Sequence, residues 1–209
     1  MSRAERFAFA GALVLLVLQA VVFAWPGVGA ALEYRRAVLN VEPWRVLTGH
    51  WVHINWPHVL VNAAAWFIVA RLFAPELSPL RQLVALVSAS VAIGIGLAIV
   101  FPAVDWYRGF SGVLHALFFA GATAWLLAML ARREARAVRM LWLPGALFVG
   151  GWIKVLLEQP PAGSVSYAEW LHAATVPQAH LLGAAWGVLL GAVFARASGA
   201  AAAVREQHE

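Results

Sequence analysis

Long apolar runs separated by short polar stretches set the plan of this chain. Six segments, about 7–24, 57–73, 83–101, 110–131, 140–157 and 176–195, carry almost no charge and approach the roughly 20 residues a helix needs to cross a bilayer. The pattern predicts an all-α integral membrane protein of six transmembrane helices. Residues 1–196 form one membrane domain, and 197–209 form a short cytoplasmic tail expected to be disordered. The first segment follows "MSRAER" and resembles a signal peptide, but its 18 uncharged residues exceed the usual signal core, so it is read as an anchor.

Basic residues orient the spans. With the N-terminus inside, Arg3, Arg6, Arg71, Arg81, Arg132, Arg133, Arg136, Arg139, Arg196 and Arg205 fall on the cytoplasmic side. Arg35, Arg36, Arg45, Arg108 and Lys154 fall on the other. Ten against five places both termini in the cytoplasm. The acidic residues divide evenly and add nothing. The run "ARREARAVR" is read as a stop and orientation signal, and Lys154, late in the fifth span, as a side chain snorkelling to the outer interface. The first outer loop, about 25–56, carries Trp25, Trp44, Trp51 and Trp56, a density expected of a segment embedded in the membrane interface.

Composition narrows the chemistry. The chain is 63% hydrophobic and 12% charged, with a mean hydropathy of +0.77. Cysteine is absent, so disulfide scaffolds, thiolate nucleophiles and iron–sulfur clusters are excluded, and any nucleophile is an oxygen or a nitrogen. A net charge of +5 would suit nucleic acid, but the arginines are scattered between apolar runs, so no nucleic-acid partner is expected and the lipid bilayer is the surrounding medium.

In this topology the second, fourth and sixth spans all begin on the outer side, and the unusual polar residues sit at those beginnings. His58 and Asn62 open the second, Ser111 the fourth, and Gln178 and His180 the sixth. At 1.5 Å per residue they share a depth within about two turns. Three helix N-termini also favour developing negative charge there. Ser111 is a candidate nucleophile and His180 its base. Gly183, Gly187 and Gly191 share the His180 face, and Gly112, Ala116 and Ala120 offer a matching strip on the fourth span, so close packing would bring the two together. Gly109 and Gly112 allow a tight turn that leaves the Ser111 backbone N–H open, and His58 with Asn62 adds side-chain donors for an oxyanion. Asn55 and Pro57 suit a helix start.

Simpler roles stand beside these. Ser111 alone fits a packing hydroxyl, and His180 alone fits an interhelical hydrogen bond; their shared side, depth and small-residue setting favour chemistry. His115, one turn after Ser111, is an alternative base or a modulator of the site. His50, His53 and His58 have metal-ligand spacing, but no carboxylate or thiolate accompanies them, so neither a metal nor a cofactor is expected. No intramembrane Asp or Glu is available to orient His180, which predicts a Ser/His dyad. A non-catalytic helix-binding protein and a histidine-based metal or haem protein are the competing classes; nucleophile labelling and an absorption spectrum separate them.

"WRVLTGHWVHINWPHVLVN", then "GFSG", then "AHLLGAAWG" resemble the rhomboid family of intramembrane serine proteases over nearly the whole chain. The resemblance implies a six-helix bundle with a membrane-embedded first outer loop. It makes Ser111 the nucleophile, His180 the general base, and His58 and Asn62 the oxyanion donors. Small size, "EPWRVLTGH" and His115, where many rhomboids would have an aromatic residue, bring the chain nearest to the rhombosortase subgroup. That subgroup implies transmembrane protein substrates with Gly-rich, GlyGly-type C-terminal sorting tails, cut on the outer, periplasmic side of the bacterial inner membrane. Glycine-rich helices unwind readily, as a scissile transmembrane peptide must.

Overall fold

The computed structural model describes residues 1–131, 140–159 and 175–206, the last seven as backbone only. Most of the orientation signal at 131–139 lies outside the described residues. Most of the described residues are helical. Helix α1 spans Arg3–Ala24, α2 Pro26–Leu32, α3 Arg45–Thr48, α4 Trp56–Leu72, α5 Pro79–Val100, α6 Ser111–Ala131, α7 Trp142–Leu157 and α8 Pro177–Glu206. Two short strands, β1 (Tyr34–Arg35) and β2 (Trp106–Tyr107), pair antiparallel, with Tyr34 opposite Tyr107 and Arg35 opposite Trp106.

Local chemistry starts the helices where it should. Ser2 and Glu5 form a reciprocal capping box on α1. Asn55 accepts from the His58 N–H at 2.9 Å, with Pro57 in the first turn of α4, as the sequence predicts. Ser78 and Pro79 do the same for α5. Helices α1, α5, α6 and α8 are long and apolar enough to cross a membrane; α4, with 17 residues, and α7, with 16, are shorter. Helix α8 runs on to Glu206.

Cross-links mark one end of the bundle. Glu5 pairs with Arg71 at 2.6 Å, and Arg81 donates to Ser198 at 2.7 Å, so the start of α1, the end of α4, the start of α5 and the late part of α8 lie together. The beginnings of α4, α6 and α8 therefore gather at the opposite end. Helix α6 is central, buried from Gly112 through Ala124 on most sides. By contrast, α1, α5 and α7 turn Leu13, Val17, Leu83, Val87, Ile95, Val149 and Ile153 outward. So apolar an exterior is unfavourable in water and suits lipid.

Candidate active site

The segment before α6 is held firmly. Phe110 is fully buried, stacked on Trp66 at 5.0 Å and 10° and tilted against Trp51 at 4.8 Å. Tyr107 donates its hydroxyl to the Gly109 carbonyl, and the Gly109 N–H donates to Gly49 at 3.3 Å. Gly109 has φ 137°, a conformation open chiefly to glycine, and a Cβ there would stand 2.8 Å from the His58 ring. The first residue of α6 is thus fixed from three sides. That residue is Ser111.

Helices α6 and α8 meet in the register that the small residues predict. A side chain at Gly183 would run into the carbonyl of Gly112, one at Gly187 into that of Ala116, and one at Gly191 into that of Ala120. The backbones consequently touch, and at the top of this seam the Ser111 Oγ lies 2.8 Å from His180 Nε2. The other nitrogen of His180, Nδ1, lies 2.8 Å from Oε2 of Glu158. An ionised carboxylate only accepts, so Nδ1 carries the ring proton and Nε2 is left to accept from the serine hydroxyl.

Glu158 corrects the expectation that no acidic residue could reach His180. It is 7% exposed, immediately follows α7, and bonds through its other oxygen to Lys154 at 2.7 Å. Lys154 also donates to His115 Nε2 at 3.0 Å, so it faces the site rather than only snorkelling away. His115 Nδ1 in turn donates to the Ser111 carbonyl at 2.7 Å, and the His115 and His180 rings stack at 4.3 Å and 17°. Both nitrogens of His115 are therefore engaged, and neither engages the Ser111 hydroxyl. Gln159 ties the end of α7 to α8 by donating to the Pro177 carbonyl at 3.0 Å.

His58 and His180 are each 7% exposed and Asn62 3% exposed. The His58 ring lies against Gly109, two residues before Ser111. One turn deeper, the Asn62 Nδ2 is buried with no acceptor among the described residues, a donor in need of a partner. His53 meets His58 edge-on at 5.1 Å and is anchored to α1 through Gln19, while His50 lies 5.1 Å from Tyr107. Ring nitrogens of His115 and His180 and the Glu158 carboxylate fall within 4.8 Å of one another, a donor set with metal potential. Every one of those donors already has a partner, and the cation among them is the ammonium of Lys154.

Around the site, Glu33 binds the strand ribbon. Only 2% exposed, it pairs with Arg35 and, at 2.7 Å, with Arg108, and it accepts from Trp106 Nε1 at 2.8 Å. Burial pushes its carboxyl up, but the hydrogen bonds from Trp106, Arg35 and Arg108 outweigh that and hold it below the ordinary value of 4.5.

Fold and site define a helical membrane protein with a hydroxyl, an imidazole and a carboxylate in hydrogen-bonded series. The family model for the Rhomboid domain matches residues 40–197, about three quarters of the chain, and includes every residue of that series. The chain belongs to the rhomboid family, whose members are intramembrane serine proteases. A comparison with curated proteins returns no match.

Proposed function

We propose that this chain is an intramembrane serine endopeptidase that cuts transmembrane tails of exported proteins, and that GlyGly-type C-terminal tails are its substrates, as in a rhombosortase. The observation that carries the reading is the 2.8 Å contact between the Ser111 hydroxyl and His180 Nε2. His180 takes the hydroxyl proton as Ser111 attacks the scissile carbonyl, then returns it to the leaving amine, giving an acyl-serine. Water, activated by the same imidazole, releases the acid and restores the hydroxyl. The Ser111 N–H at the start of α6, with His58 and the unpartnered amide of Asn62, supports the oxyanion. In this reading α4 and α7 cross the membrane with the four longer helices, the loop between α1 and α4 lies in the outer interface, and both termini are cytoplasmic. The site then opens to the periplasmic side of an inner membrane.

The test is turnover in detergent or liposomes of a reporter carrying a GlyGly-type transmembrane tail. Ser111→Ala and His180→Ala are each expected to lower cleavage at least a thousandfold. Full turnover by either variant would overturn the reading. Equal cleavage of a tail without the GlyGly pair would leave a rhomboid protease of general specificity.

A further inference from the structure

Proton transfer between Ser111 and His180 runs through Nε2 of the ring, and the acidic residue Glu158 touches the opposite nitrogen, Nδ1. We infer that Glu158 is a positioning residue for His180 and that Lys154 holds Glu158 in place, so that a third helix completes a Ser–His–Glu series. The inference rests on the protease reading of Ser111 and His180.

Three features carry it. The carboxylate contacts the imidazole nitrogen opposite the serine, which is where a carboxylate fixes the tautomer that accepts the hydroxyl proton and supports the imidazolium formed on transfer. Both partners are nearly buried, with side chains 9% and 8% exposed, so their attraction is poorly screened and the ring has little freedom to turn. The carboxylate itself is anchored: Lys154 is four residues earlier on the same face of α7, and Gln159 fastens that end of the helix to the start of α8. A plain surface ion pair between Lys154 and Glu158 would leave the second oxygen in water. Here it is bound to the ring.

Lys154 has a further consequence. Its ammonium only donates, so the His115 Nε2 beside it is an acceptor and the ring proton sits on Nδ1, facing the Ser111 carbonyl. His115 is thereby kept out of the competition for the Ser111 proton while its ring covers the flat side of His180.

Labelling of Ser111 by a fluorophosphonate probe, measured on the full chain, tests this without a known substrate. Glu158→Gln is expected to slow the limiting labelling rate about a hundredfold, with the half-saturating probe concentration unchanged. Lys154→Met should slow it about tenfold and Lys154→Arg should restore it; equal rates for Lys154→Met and the native chain would remove Lys154 from the arrangement. Nitrogen-15 spectra of the native chain, selectively labelled at histidine, should show His180 protonated at Nδ1. A Glu158→Gln rate within tenfold of native, or a native His180 protonated at Nε2, would overturn the inference. Failure of the native chain to label at Ser111 would instead overturn the protease reading beneath it.

Discussion

Ser111 and His115 stand one turn apart on α6, yet their bonds divide them sharply. The hydroxyl of Ser111 meets His180, while His115 spends one nitrogen on a backbone carbonyl and the other on Lys154. Replacing His115 with Phe preserves a ring against His180 and removes the links to the Ser111 carbonyl and to Lys154, neither of which involves the Ser111 hydroxyl. Cleavage by the His115→Phe variant is expected to stay within about tenfold of native; a loss as deep as that of His180→Ala would make His115 the base. Ser111, His180, His58 and Asn62 could be singled out from sequence because each is a polar residue at the start of an apolar run. Glu158 could not, because it falls just past the end of one, where a carboxylate is ordinary. The signal was its spacing from Lys154: two opposite charges four residues apart at the C-terminal end of the fifth segment mark a face pointed at something.

At the level of elements, the contact between α6 and α8 decides whether the site exists. A methyl group at Gly183 has nowhere to go except against the backbone of Gly112, next to Ser111, so it must push the two helices apart at the level of the proposed chemistry. Gly183→Ala is expected to lower cleavage by a hundredfold or more. Gly150→Ala on α7, where an added Cβ would meet no other element within 4 Å among the described residues, should leave cleavage within about twofold. Matching activities for the two variants would show that the close approach is dispensable. The small-residue stripe made this pairing legible in advance, down to the facing partners, since only glycine and alanine at every fourth position allow backbones to touch. The strand ribbon was not legible. Two residues on each side are too short for any alternation to register, and their pairing depends on Glu33 and Arg108, which look like ordinary loop charges in sequence.

For the whole molecule, the same ribbon joins the connection between α1 and α4 to the segment that delivers Ser111. Its central carboxylate, Glu33, is held below the usual range, so it stabilises the fold fully above about pH 4.5 and loses that contribution as pH falls through its lower folded value. Melting of the protein in detergent should therefore drop more steeply between pH 5 and 3 than melting of Glu33→Gln, which is less stable at pH 7 by on the order of 3 kcal/mol. Parallel curves for the two proteins would show that the network contributes nothing. Elsewhere α7 has a different consequence. At 16 residues it spans about 24 Å, against about 30 Å of hydrocarbon, and only Pro144 and Val155 along it are buried. In the proposed arrangement, the carboxylate beside His180 thus hangs from the shortest of the crossing helices, so acyl-chain length should act as a rheostat on the proposed cleavage, each added methylene pulling at the orientation of the imidazole.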